Sequence, residues 1–220
     1  MRDLFAALEN DEERREPIAD GAVVLRGYAR SEASALLAAV QAVAAAAPFR
    51  HMATPGGLRM AVAMTNCGAL GWISDGKGYR YTATDPDSGR PWPAMPELFS
   101  GLARRAASAA GFAGFAPDAC LINRYAPGTR LSLHQDKDEA DLGAPIVSVS
   151  LGLPAVFLFG GWQRRDPAAR IGLAHGDVVV WGGPSRLRYH GVLPIRTGAF
   201  PESPDWRINL TFRRARPALR

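Results

Sequence analysis

The strongest local signal for chemistry in this 220-residue chain is the triplet His134-Gln135-Asp136. In an extended strand side chains alternate with period two, so His134 and Asp136 share a face and can meet one metal ion. A third ligand is needed. Among His51, His175 and His190 the best placed is His190, inside the strand-like run Arg188-Tyr189-His190-Gly191-Val192. Two imidazoles and one carboxylate that leave an octahedral face open suit non-haem iron(II) oxygen chemistry. An HxD spacing also arises by chance, and zinc held by the same groups for hydrolysis is a rival.

A second pattern favours iron. Residues 206–213 alternate so that Arg207, Asn209, Thr211 and Arg213 share one face while Ile208, Leu210 and Phe212 share the other. The polar face is either solvated or turned into a barrel, where unpaired cations are costly unless an anion joins them. A dicarboxylate supplies that anion, because arginine holds carboxylates by parallel hydrogen bonds. The cosubstrate 2-oxoglutarate fits both ends: its keto-acid end chelates a metal and its distal carboxylate meets an arginine. Asn123 and Tyr125, on one face of the strand expected at 119–126, add hydrogen-bonding groups or are satisfied polar residues at a strand end.

These residues need a frame. Ser31 is expected to cap a helix over 33–47, closed by Pro48, and a second helix is expected over 96–110, with Pro96 in its first turn and Gly111 just past its end. Residues 59–66 read as β, and 67–93 as a long aromatic loop or loose hairpin carrying Trp72, Tyr79, Tyr81 and Trp92. Beyond Gly111, short strands are expected at 119–126, 131–136, 146–151, 155–159, 171–173, 177–181, 188–192 and 206–213. That spacing implies a mainly β fold, closed or sandwiched, with both helices on one outer face. A single domain is expected, its parts being an N-terminal extension and helix (1–58), a lid (59–95), the second helix and β core (96–213) and a basic tail (214–220).

Composition narrows the class. Hydrophobic residues make up 47% and charged residues 21%, which argues against global disorder. The apolar run at 33–48 is too short to cross a bilayer, and the charged stretch NDEERRE at 10–16 does not resemble a signal peptide, so a cytoplasmic protein without membrane attachment is expected. Cys67 and Cys120 form neither a disulfide framework nor a CxxC zinc site. A net charge of +5 makes a polyanionic partner plausible without identifying one.

The runs LINRYAPGTRLSLHQDKDE (121–139), APIVSVSLGLPAVFLFGG (144–161), HGDVVVWGG (175–183), SRLRYHG (185–191) and RINLTFR (207–213), with MAVAMTNCGALGW (60–72), resemble the AlkB family of DNA-repair dioxygenases. The resemblance covers about residues 60–213. It implies a double-stranded β-helix (jelly roll) core with flanking N-terminal helices and a nucleotide-recognition lid. It further implies oxidative removal of alkyl groups from bases such as 1-methyladenine and 3-methylcytosine, using Fe(II), 2-oxoglutarate and O2 and releasing formaldehyde, succinate and CO2. On the matching positions, His134, Asp136 and His190 correspond to the iron ligands, and Asn123, Tyr125, Arg207, Asn209 and Arg213 to the 2-oxoglutarate pocket. Trp72 corresponds to the residue that stacks on the flipped base, Tyr79 and Tyr81 line the approach, Asp138 lies near the base edge and Arg164 reaches the nucleic acid. The implied partner is alkylated DNA, single-stranded or flipped out of a duplex, with RNA also within the class, and the implied state is a monomer. Residues 75–78, 82–84 and Arg188 depart from the family pattern. An oxygenase acting on a small molecule or a protein side chain, and a non-catalytic nucleic-acid module, are the alternatives.

Overall fold

The computed structural model describes residues 14–198 and 205–217. Two antiparallel strands, β1 (Arg14–Ala19) and β2 (Ala22–Arg26), open the described chain. A 3-10 turn at Arg30–Glu32 feeds α1 (Ala33–Ala46). Ser31 is therefore not the cap: it lies inside that turn, and no side chain caps the helix. Next come β3 (Ala63–Gly68), the hairpin β4 (Gly71–Asp75) and β5 (Gly78–Thr82), and α2 (Glu97–Ala109), which Pro96 precedes and Gly111 follows at φ +96°. The remaining strands are β6 (Ala119–Tyr125), β7 (Leu131–His134), β8 (Ile146–Gly152), β9 (Ala155–Phe159), β10 (Ala169–Leu173), β11 (Val178–Trp181), β12 (His190–Val192) and β13 (Arg207–Arg213).

Eleven of these strands form two sheets, ordered β1-β2-β11-β8-β13-β6-β3 and β10-β9-β12-β7, while β4 and β5 pair only with each other. The two sheets form the jelly-roll core. The first two strands, whose RREPIA segment reads as polar, join the large sheet through β2–β11 pairing. Likewise β3, inside the stretch expected to form the lid, pairs with β6 along its whole length. Among the described residues no helix is long and apolar enough to cross a membrane.

Two apolar cores follow from the alternation of the large sheet. One face carries Val147, Val149, Leu151, Ile208, Leu210 and Phe212 against Leu36, Val40, Phe99 and Leu102 of the helices. Both helices thus lie on one outer face, as the alternation predicts. The other face packs Val179, Trp181, Leu121 and Tyr125 against Phe157, Phe159 and Val192 of the small sheet. Each fully buried Leu or Phe contributes about 1.5–3 kcal/mol, so Leu210 and Phe212 anchor β13 on the helix side. Its polar residues lie in the space between the sheets, and this is where the site forms.

Candidate active site

Antiparallel register brings the two histidines together. His190 of β12 pairs directly with His134 of β7, and their ring centroids are 4.4 Å apart. The register slips between His190 and Val192 because β7 carries an extra residue there. The bulge presses on Gly191, where a Cβ would meet the Leu131 carbonyl oxygen at 2.7 Å, so glycine is required at that crossing. Asp136 comes from outside the strand. β7 ends at His134, and the carboxylate arrives from the following coil rather than by strand alternation. The outcome expected from period two holds although its assumed cause does not.

The ligand atoms of His134, Asp136 and His190 all lie within 4.8 Å of one another. His134 Nδ1 donates to the Ser132 carbonyl at 2.9 Å and His190 Nδ1 to the Arg188 carbonyl at 3.1 Å. A carbonyl only accepts, so Nδ1 carries the proton and each Nε2 keeps its lone pair toward the site. These nitrogens sit 3.6 Å from Asp136 Oδ1 and Oδ2 respectively, a spacing that one shared cation could bridge. Burial, then the neighbouring imidazole, lowers the His134 pKa to about 4. Burial alone would raise Asp136, but the Arg213 cation paired with it holds the carboxyl well below its usual range.

The two arginines of β13 have different roles. Arg213 donates from Nε and Nη2 to Asp136 Oδ2 at 3.0 and 2.7 Å and lies 3.4 Å from Glu139. Its charge is already matched and it orients the carboxylate that faces the metal position. Arg207 is 1% exposed; Nη2 donates to Ser150 Oγ at 3.0 Å, the Tyr125 hydroxyl is its other polar neighbour, and Nε and Nη1 make no hydrogen bond of good geometry. Its guanidinium lies 5.0 Å from the Tyr125 ring centroid, and desolvation lowers its pKa. Nearby, Asn123 Nδ2 donates to Asn209 Oδ1 at 3.3 Å, Asn209 Nδ2 donates to Ser148 Oγ at 2.7 Å, and Asn123 Oδ1 has no partner. A buried cation lacking partners on two nitrogens costs several kcal/mol unless an anion compensates it. The donors therefore fit a carboxylate at Arg207, and the two imidazoles with one carboxylate fit iron(II).

The hairpin lies close to this site. Trp72 Nε1 donates to Asp138 Oδ2 at 2.9 Å, and Tyr81 donates its hydroxyl to Glu139 Oε1 at 2.6 Å, both on the coil just after Asp136. Trp72 and Tyr79 stack with centroids 5.7 Å apart and planes 12° apart, and Tyr79 is 48% exposed. Arg164 is exposed and lies over the Tyr189 ring at 5.6 Å.

Four contributors escaped the sequence reading. Arg186 is buried and donates to the Asp136 carbonyl, Glu139 Oε2 and the Ala144 carbonyl, which locks the coil that carries the third ligand. Glu139, within a segment with loop character, bridges Tyr81, Arg186 and Arg213. Asn66 brackets the Trp72 backbone with two 3.0 Å hydrogen bonds. Trp181 packs 4.9 Å from the His190 ring and leaves its buried Nε1 without a partner. Only Trp181, at the end of a pure apolar strand, carried a usable signal.

The profile of the 2OG-Fe(II) oxygenase superfamily matches residues 21–213. The alpha-ketoglutarate-dependent dioxygenase AlkB of Escherichia coli (strain K12) is 60% identical over 215 residues, 98% of this chain and 98% of that protein. The DNA N(6)-methyladenine demethylase ALKBH1C of Arabidopsis thaliana is 34% identical over 66% of this chain and 37% of its own length. The solved structure of OsALKBH1 superposes with a TM-score of 0.80 at 30% identity, covering 91% of this chain and 100% of that one.

Proposed function

This chain belongs to the AlkB family within the 2OG-Fe(II) oxygenase superfamily, and from that premise we propose that it repairs N-alkylated bases such as 1-methyladenine and 3-methylcytosine, with the residues of the site in the following roles. It is an Fe(II)- and 2-oxoglutarate-dependent dioxygenase that dealkylates nucleic acid. Iron(II) with 2-oxoglutarate and O2 supplies the oxidising chemistry that hydroxylates the N-alkyl carbon, after which the hydroxymethyl group leaves as formaldehyde.

The chain's own residues bind and orient. His134, Asp136 and His190 would hold the metal, and Arg213 keeps Asp136 ionised and oriented by two hydrogen bonds to Oδ2. Arg207, with Asn123, Tyr125 and Asn209 around it, takes the distal carboxylate of 2-oxoglutarate. Trp72 and Tyr79 stack against the alkylated base, and Tyr81 holds their hairpin over the site from beneath. Asp138 favours a base made cationic by methylation. Such a base pairs weakly, which lowers the cost of flipping it from a duplex and favours single strands. The same reading has the enzyme act as a monomer in the cytoplasm.

The observation that carries this reading is the His134-Asp136-His190 cluster beside the incompletely partnered, buried Arg207. Anaerobic reconstitution with Fe(II) and 2-oxoglutarate, followed by air and a strand carrying 1-methyladenine, is expected to yield formaldehyde and succinate in equal amounts. Succinate without formaldehyde, on every methylated strand tried, would direct the search to a small molecule or protein side chain.

A further inference from the structure

We propose that Trp162, braced by Arg188, is a second base-stacking subsite that holds a nucleotide flanking the alkylated one; the proposal rests on the nucleic-acid reading above. Trp162 is 59% exposed, and with Tyr79 it is one of two exposed aromatic side chains among the described residues. A tryptophan ring free to move would cover its apolar faces. Here it is held outward. Its Nε1 donates to the Pro184 carbonyl at 3.2 Å, and the Arg188 guanidinium lies 4.9 Å from its centroid. Arg188 is itself fixed, donating from Nε to the Gly160 carbonyl at 2.6 Å and lying 5.2 Å from the Phe159 ring centroid.

The turn that carries Trp162 is rigid as well. Asp166 Oδ2 accepts from the Gln163 backbone N–H at 2.9 Å, and the Gln163 carbonyl accepts from Asp166 N–H at 3.0 Å. At Gly161 a Cβ would lie 2.1 Å from the Asp166 carboxylate, so this close approach admits only glycine. A pre-positioned ring loses little freedom on binding, and this is what makes an aromatic platform effective.

The platform is connected to the metal-binding strand. Phe159 is the register partner of His190, Tyr189 N–H donates to the Gly161 carbonyl, and the Arg188 carbonyl receives His190 Nδ1–H. Three residues past Phe159 span at most about 10 Å of chain, so Trp162 is within reach of nucleotides adjoining the target base. Arg164 and Arg165 are exposed on the same turn. Among the described residues neither Arg164 nor Arg188 pairs with a carboxylate, and the positive charge complements phosphate beside the stacked base. Stacking is indifferent to sequence, so the subsite would add affinity without base choice.

The test uses the holoenzyme and single strands of one to eleven nucleotides, each carrying one 1-methyladenine. KM is expected to fall as flanks are added. Trp162→Ala should raise KM for the long strands by about tenfold or more with kcat unchanged, act like wild type on the methylated mononucleotide, and be rescued by Trp162→Phe. An abasic nucleotide at the contacted position should erase the difference between the wild type and Trp162→Ala. If Trp162→Ala keeps the wild-type KM at every length while strands are still dealkylated, the subsite is refuted and the family reading stands. If the wild type dealkylates no strand of any length, the nucleic-acid reading fails and the subsite with it.

Discussion

His190 sits on a strand flanked on both sides, by β9 and by β7, whereas Trp72 sits on a two-stranded ribbon that pairs with no other strand. The metal face is positioned by sheet register and by charges buried between sheets. The hairpin is positioned by Ile73, buried in the second core, and by side-chain hydrogen bonds: Asn66 on the Trp72 backbone, Asp138 on its indole, Ser74 on the Ala53 carbonyl, and Glu139 on Tyr81. An isolated hairpin is marginal in water, so the ribbon depends on those contacts. The contrast suits the two tasks. Ligands for one ion must hold their places, and on the proposed function the hairpin has the looser task of presenting aromatic rings to a base.

The strongest way to break the comparison is at Arg213. Arg213→Met leaves Asp136 and Glu139 buried with a single remaining cation, Arg186, near Glu139. Urea unfolding of the metal-free protein should show a loss of about 3–5 kcal/mol, because an uncompensated charge stays in the core. A loss under 1 kcal/mol would mean that the metal face is no more over-determined than the lid. Tyr81→Phe probes the lid by removing one hydroxyl from Glu139. Amide exchange in β4 and β5 should speed up by about three- to tenfold while the β12 amides are unaffected, as expected for one hydrogen bond worth about 1 kcal/mol. Equal changes in both regions would indicate one cooperative unit.

The smallest expected effect is at the hairpin tip, where Arg80 makes two hydrogen bonds to Asp75. The Arg80 contact lowers the Asp75 pKa to about 2 from 3.8. A carboxyl depressed in the folded state contributes above its unfolded pKa and loses that contribution as pH falls toward the folded one. The pair should therefore be complete above about pH 4 and be lost near pH 2. An NMR titration of the Asp75 carboxyl with its midpoint near 3.8 would show the tip to be untethered. Because this pair is exposed, Asp75→Asn should leave the melting temperature unchanged.

The same contrast explains what could be read from the sequence. Alternation along residues 207–213 exposed the polar face of β13 because a strand buried on both faces must still send its side chains two ways. Helix α2 was legible from Pro96 and Gly111, which are local signals. The lid was harder to read: its aromatic residues mix with Gly, Asp and Pro, and nothing in residues 71–82 announces five paired positions on each strand. Glu139 and Arg186 carry no pattern, since their function exists only once the coil after His134 meets the turn after β11. Ser31 failed as a cap because a 3-10 turn starts one residue before it, and β1 was hidden by its charge.

Arg207→Met offers the most direct test of the central claim, that a buried cation is kept for a diacid beside the metal site. Calorimetry with 2-oxoglutarate and thermal melting should be run on both proteins with Fe(II) present anaerobically. The account predicts that the variant binds 2-oxoglutarate about 100-fold or more weakly and that without cosubstrate it melts at or above the wild-type temperature, since a buried cation incompletely partnered has been replaced by hydrocarbon. A variant that binds the diacid as tightly as wild type and melts at a lower temperature would contradict it.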